Sequence, residues 1–226
     1  MVVFPPLPLF PQTDPPADLL ALETALYSSG YQAVAGVDEA GRGPLAGPVV
    51  AAAVILDRSL EYPGVNDSKK ITPNLRNRLF DLIQTRAISV GVGLVESADI
   101  DRINILTASL QAMVQAVQNL SVPPDYLLID GPYPTPCHIP QKPVTHGDSL
   151  SLSIGAASII AKVTRDRLMM EYDRLFPNYG FAKHKGYPTK AHIEALNRFG
   201  PCPIHRRTYR PVAECGQPRF QSGTTI

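Results

Sequence analysis

Four acidic residues stand where apolar runs give way to turns. Asp38 and Glu39 follow Tyr31–Val37, Asp130 directly precedes Gly131, and Asp148 opens a long helical pattern. No His or Cys set at ligand spacing accompanies them. Carboxylates clustered at strand ends are the hard-oxygen surroundings that Mg²⁺ or Mn²⁺ prefers. Acidic side chains are seldom set against a core unless paired or bound to metal. Taken singly, Asp130 reads as a turn-former and Asp148 as a helix N-cap. Beside the adjacent pair Asp38-Glu39, the metal-site reading is favoured.

That pair sets a geometric condition. Neighbours on a strand point to opposite faces, so both reach one site only if strand pairing breaks there. Ala40-Gly41-Arg42-Gly43 is a suitable breaker. The same glycines let a ligand approach the backbone, and Arg42 is placed to clamp a phosphate, although a tight turn with a solvated Arg is the plainer local reading. No Gly-Lys-Ser/Thr follows, which excludes a P-loop.

Two later stretches suit a sugar–phosphate backbone. Asp67-Ser68-Lys69 reads by default as a surface loop, yet it offers a hydroxyl and an ammonium. Phe181-Ala-Lys183-His184-Lys185-Gly186-Tyr187-Pro188-Thr189 sets basic residues around an aromatic platform. From Lys162 to Arg210 there are eleven Lys or Arg against four Asp or Glu, while residues 1–159 hold nine against fifteen. Such asymmetry is the footprint of a polyanion-binding face, although charge alone also fits a solvated basic face.

The elements that must position these residues follow from periodicity. Asp18–Tyr27 reads as a short helix capped by Asp18, and Tyr31–Val37 and Val49–Leu56 as strands, the second buried on both faces. Thr72-Pro73 caps a helix running to about Thr85. Ile88–Val95 is a third strand, Ile100–Leu120 one long helix, and Tyr126–Asp130 a short buried strand. A short strand precedes His146, and Ser149–Phe176 and Thr189–Phe199 are helices. Residues 1–17, with six prolines, read as a poorly ordered tail, 18–212 as one domain, and 213–226 as an irregular tail.

The N-terminal apolar stretch lacks a basic flank and is broken by proline, which argues against a signal peptide. Three cysteines without metal-type pairing point to a reducing compartment, so the expected location is cytoplasmic. No apolar run is long enough to span a bilayer.

The motifs Gly36-Val-Asp38-Glu39-Ala-Gly41-Arg42-Gly43-Pro-Leu-Ala-Gly-Pro-Val, Asp67-Ser68-Lys69, Ile129-Asp130-Gly131, Gly147-Asp148-Ser, Ala156-Ala157-Ser158-Ile-Ile-Ala-Lys162-Val-Thr-Arg165-Asp166 and Lys185-Gly186-Tyr187 occur in that order. Over about residues 20–212 this set strongly resembles ribonuclease HII, the bacterial type 2 ribonuclease H. The resemblance implies an α/β, ribonuclease-H-like fold: a central mixed sheet of about five strands flanked by helices, with a C-terminal helical portion. It implies cleavage of RNA in RNA–DNA hybrids and at single ribonucleotides embedded in duplex DNA.

Asp38, Glu39 and Asp130 match the family's metal-binding carboxylates and Asp148 its fourth acid, for Mn²⁺ or Mg²⁺. Gly41-Arg42-Gly43 matches the motif that senses the 2′-hydroxyl at an RNA–DNA junction. Tyr187 matches the tyrosine that packs on the junction sugar, and Ser68 and Lys69 would contact phosphate. Type 3 ribonuclease H is similar in fold but typically carries Gly-Thr-Gly at the Gly-Arg-Gly position and an extra N-terminal domain. The expected mechanism is two-metal hydrolysis giving 3′-hydroxyl and 5′-phosphate ends, by a monomer. A sliding-clamp partner is left open by the sequence. Two rival classes are a catalytically silent nucleic-acid-binding module and a nuclease of the same fold that cuts DNA. Metal-dependent product from a hybrid, with an all-DNA control, separates the three.

Overall fold

Short runs of Val, Ala and Ile build the middle of a five-stranded sheet, in a computed structural model that describes residues 18–65 and 71–215. The strands are β1 (Val34–Ala40), β2 (Val49–Ile55), β3 (Ser89–Val95), β4 (Tyr126–Asp130) and β5 (Gln141–Val144), in spatial order β3-β2-β1-β4-β5. The first three form an antiparallel meander, while β4 runs parallel to β1 and β5 parallel to β4. The carboxyl ends of β1 and β4 therefore lie side by side, which is where a mixed sheet offers its edge to a ligand.

Helices α1 (Ala21–Ser28), α2 (Pro73–Arg86), α3 (Ser97–Ile103), α4 (Ile105–Gln118), α5 (Leu152–Leu175), α6 (Phe181–His184), α7 (Lys190–Phe199) and α8 (Arg210–Ala213) complete the described chain. Alternation along the strands divides the core into two layers. Ala35, Val37, Ala51, Ala53, Leu127 and Ile129 pack against Ala112, Met113 and Ala116 of α4. Ala52 and Val54 pack on the other face against Ala156, Ile159 and Ile160 of α5, with Leu79 and Ile83 of α2 behind them. Each fully buried Ile or Leu contributes about 1.5–3 kcal/mol, so α5 is fixed to the sheet chiefly by its apolar half.

Two details set the height and start of α5. A Cβ on Gly36 would stand 2.1 Å from the Ser153 carbonyl carbon, so only glycine lets α5 lie directly on β1. The N-cap is Ser151, whose hydroxyl accepts from the Ile154 amide at 3.2 Å. The Glu23 carboxylate accepts from Ser151 Oγ, Ser153 N and Ser153 Oγ at 2.6–3.0 Å and ties α1 to that end.

Several expectations shift. β1 begins at Val34 and runs three residues beyond Val37, with Asp38 and Glu39 still paired to Ala52 and Ala51. The expected helix over 100–120 is two helices. Asn104 has φ 67° and its side chain accepts from the Thr107 amide at 3.1 Å, so it caps α4 and ends α3. Asp18 stands ahead of α1 rather than at its cap, accepting from the Leu20 amide at 3.0 Å. The basic stretch after Gly180 holds the single turn of α6, while the Thr72 cap and the strand before His146 stand as expected. Among the described residues no helix is long and apolar enough to cross a membrane. The tails expected at 1–17 and beyond 215 lie outside the described residues.

Candidate active site

The β1–β4 register aligns the key acids. Val37 pairs with Ile129, and both face α4; one residue on, Asp38 and Asp130 therefore stand side by side on the α5 face. Asp38 is only 4% exposed. Its Oδ1 accepts from the Glu39 amide at 2.7 Å, and Ser158 of α5 hydrogen-bonds to its carboxylate. Asp130 Oδ1 accepts from the Gly147 amide at 2.7 Å.

Glu39 reaches the same cleft although the ladder is intact through Ala40. Unbroken pairing corrects the expectation that a break is needed: β1 ends one residue later, so a side chain from the opposite face can round the strand end toward Arg42. Glu39 Oε1 and Arg42 Nη1 are 3.3 Å apart. Burial pushes Asp38 well above the ordinary carboxylate range, with the negative charges of Glu39 and Asp130 adding to it. Burial also raises Glu39, opposed by Arg42 and reinforced by Asp130. Buried like charges of this kind mark sites that a cation would relieve.

The donor chemistry fits a hard divalent ion, since the converging groups are all carboxylates. They share repulsion rather than a finished shell: among the described residues no group of three or more His, Cys, Asp or Glu already stands at metal-binding separation. Asp148 is 6% exposed and lies in a 3₁₀ turn, Gly147–Ser149, whose first amide holds Asp130. It does not line the cleft and does not cap α5, a role that belongs to Ser151.

Asp38, Glu39, Ala40, Gly41, Arg42, Gly43 and Asp130 share a cleft of about 270 Å³ with Arg76, Ser158, Lys162, Arg165 and Tyr187. That space accommodates one sugar–phosphate unit and not a duplex, which would have to lie across its mouth. Acids form one wall; Gly41-Arg42-Gly43 and Tyr187 form the other. Ser68 and Lys69 fall outside the described residues.

Two buried arginines shape the second wall. Arg206 is fully buried and donates to the carbonyls of Gly41, Arg42 and Gly47. Arg165, 1% exposed, donates to Pro48, Ala46 and Lys185 carbonyls at 3.0–3.1 Å. Gly41 has φ +102°, and a Cβ there would stand 2.1 Å from Arg165 Nε. Leu45 N donates to Gly186 O at 2.8 Å, joining this corner to the segment that carries Tyr187. Ser158, Lys162, Arg165 and Arg206 were not singled out by residue type and spacing. Ser158, Lys162 and Arg165 fall within the Ala156–Asp166 motif that carries the resemblance, and Arg165 is also a cation among the apolar positions of α5; Arg206 offers no signal.

Comparison with known proteins agrees with this geometry. The family model described as Ribonuclease HII matches residues 35–212. A protein named Ribonuclease HII from Geotalea uraniireducens is 61% identical over 208 residues, covering 92% of this chain and 96% of that one. Its namesake from Geobacter metallireducens is 59% identical, covering 92% and 97%. Among solved structures, ribonuclease H2 from Pyrococcus horikoshii superposes with a TM-score of 0.69 at 30% identity, over 81% of this chain and 97% of that one. Bst-RNase HIII in complex with Mn²⁺ gives 0.64 at 18% identity, over 84% and 71%, and so speaks to the fold alone. The same holds for the Archaeoglobus fulgidus RNase HII solved with PCNA, at 0.65 and 23%, over 83% and 98%.

Proposed function

The chain belongs to the ribonuclease HII family, the metal-dependent endoribonucleases that act on the RNA of RNA–DNA hybrids, and from that premise we propose how its own residues divide the work. Asp38, Glu39 and Asp130 would hold Mg²⁺ or Mn²⁺ at the ends of β1 and β4, with Asp148, which stands back from the cleft in the adjoining turn, as the fourth acid of the set. When bound, the ions supply Lewis acidity, lowering the pKa of an attacking water and offsetting charge on the leaving 3′-oxygen. The products are a 3′-hydroxyl and a 5′-phosphate.

The chain's own groups do the positioning. Ser158 and the Glu39 amide fix the Asp38 carboxylate, and the Gly147 amide fixes Asp130. Across the cleft, the Gly41–Gly43 backbone and Arg42 read the ribose 2′-hydroxyl, the group that tells RNA from DNA at one site. Tyr187 packs on the junction sugar. Lys162 and Arg76 line the same cleft and draw the phosphates in, and Ser68 and Lys69 add phosphate contacts. The reading needs no group from a second copy, and we propose that the chain acts as a monomer.

The observation that carries this reading is the side-by-side placement of Asp38 and Asp130 opposite Arg42 and Tyr187 in one cleft. The test is incubation with duplex DNA containing one ribonucleotide, beside a hybrid and an all-DNA duplex, with Mg²⁺ and with Mn²⁺. Metal-dependent cleavage at the ribonucleotide and of the hybrid, with the all-DNA duplex intact, is expected. Equal cutting of the all-DNA duplex would make the chain a DNA nuclease of this fold, and binding without product would make it a silent module.

A further inference from the structure

Tyr187 hangs from a segment held by three buried imidazoles that no catalytic step uses. His184 comes from α6, His192 from α7, and His205 from the stretch after Cys202. Their partners assign every ring proton. The Gly186 amide can only donate, so His184 Nδ1, 3.2 Å away, is bare and its Nε2 donates to the Tyr179 carbonyl at 2.8 Å. The Tyr187 carbonyl can only accept, so His192 Nδ1, at 2.9 Å, carries the proton and its Nε2 is bare. The Cys202 amide donates to His205 Nδ1 at 3.0 Å, which puts the His205 proton on Nε2. That proton points at the bare His192 Nε2, 3.1 Å away.

The result is a one-way chain of hydrogen bonds: Cys202 N–H to His205, His205 to His192, His192 to the Tyr187 carbonyl. Each bare nitrogen already receives an N–H, so an added proton would set donor against donor. The surroundings also oppose charge. Tyr179 and His184 face the pair from one side, Phe181 packs edge-on to His192, and Cys202 and the cation of Arg207 face it from the other. Burial, with His192 next, holds His205 down to about 4, and burial likewise lowers His192.

We propose that His192 and His205 are positioning residues for Tyr187: a directional pair of neutral imidazoles fixes the Tyr187 carbonyl, and with it the ring that meets the junction sugar. The inference rests on the reading of Tyr187 given above. The same segment is tied to the glycine corner separately, through the adjoining Gly186 carbonyl, which accepts from Leu45.

The first measurement is long-range ¹H–¹⁵N NMR of the imidazoles in the full chain. Nδ1–H on His192 and Nε2–H on His184 and His205 are expected near neutral pH; a protonated His192 Nε2 would overturn the proposal. The second is a double-mutant cycle on the single-ribonucleotide duplex. Tyr187→Ala should cost about tenfold in kcat/KM, the scale of one aromatic stacking contact. His192→Leu should cost about the same, mainly in KM, and add nothing in the Tyr187→Ala background. His192→Asn, whose amide N–H stands near Nδ1, should recover most of the loss. Should Tyr187→Ala leave cleavage unchanged, the Tyr187 reading fails and this inference with it. Should Tyr187→Ala be impaired and His192→Leu lower activity equally in both backgrounds, the Tyr187 reading survives and only the positioning role falls.

Discussion

The two walls of the cleft are built on opposite electrostatic terms. On the β1–β4 wall, three carboxylates crowd together; burial drives Asp38 and Glu39 above their ordinary range, with the charges of Glu39 and Asp130 adding to it at Asp38 and that of Asp130 at Glu39. On the corner wall, two buried cations each satisfy three backbone carbonyls. Charge is left unresolved where a cation has work to do, and resolved completely where shape must be held. Activity should therefore be lost without stability on one wall, and stability lost first on the other.

The largest separation is expected from Asp130→Asn. An asparagine keeps an oxygen for the Gly147 amide, so the turn stays in place. Cleavage should fall on the order of 10³-fold, equivalent to ~4 kcal/mol of transition-state stabilisation. Metal-free thermal unfolding should be unchanged or raised, since one member of a repelling cluster is gone. Near wild-type cleavage with Mn²⁺ would remove Asp130 from the site.

Asp38→Asn sharpens the same wall through pH. The folded chain holds the Asp38 proton more tightly than the unfolded chain, whose carboxylate titrates near about 4. The charged form therefore opposes folding, and stability falls as pH rises from that value through the raised folded pKa. Without metal, Asp38→Asn should melt above wild type at neutral pH, and the gap should close on acidification. Calorimetry in chelator across that range tests it; a gap that widens as pH falls contradicts the assignment.

On the corner wall the order reverses. Arg206→Met leaves the carbonyls of Gly41 and Gly47 without their buried donor, while that of Arg42 keeps only the Tyr209 hydroxyl. At about 1–3 kcal/mol for each stranded group, the loss should reach ~3–5 kcal/mol and be read as a lower urea midpoint before any assay is run. Gly41→Ala should cost less, roughly 2–3 kcal/mol, by forcing a Cβ into the Arg165 guanidinium at φ +102°. Partial rescue of Gly41→Ala by a shorter residue at 165 would locate the clash; no change in stability on Gly41→Ala would dissolve it.

How far the sequence reveals each wall follows from the same contrast. Asp38, Glu39 and Asp130 are legible because an acid at the end of an apolar run violates the pattern around it. Most of the strands and the Thr72 cap are legible from periodicity and a capping residue, while the mixed order of the sheet follows from the family resemblance. The corner is not. Arg165 and Arg206 add to the basic count after Lys162, yet both turn inward to carbonyls, so that count overstates the exposed positive surface. The histidines behind Tyr187 stand 8 and 13 residues apart in sequence, and nothing local announces their contact. Asp148 looks like a cap because it precedes a helix, but Ser151 is the residue with the extended backbone that a cap requires. Asn104 hides within an unbroken apolar stripe, and its left-handed backbone ends one helix and caps the next.

The smallest stability effect, and the sharpest test of the contrast, belongs to Arg42, which carries a side chain of the corner wall across to the acids. Its side chain is 46% exposed and its ion pair with Glu39 spans 3.3 Å, an arrangement worth about 0–1 kcal/mol. The corner's shape does not depend on that side chain, because Arg206 holds the Arg42 carbonyl rather than its guanidinium. Arg42→Ala should therefore shift the urea midpoint by no more than ~0.5 kcal/mol. Removing the cation leaves Glu39 still higher above its ordinary range, since Arg42 is the group that opposes its burial. Cleavage at a single ribonucleotide should fall about tenfold, the scale of one charge-assisted contact, and should fall less on a continuous hybrid, where other phosphate contacts persist. A loss of stability as large as that of Arg206→Met would place Arg42 with the corner's frame. An equal loss on both substrates would make it a general phosphate contact rather than a reader of the junction.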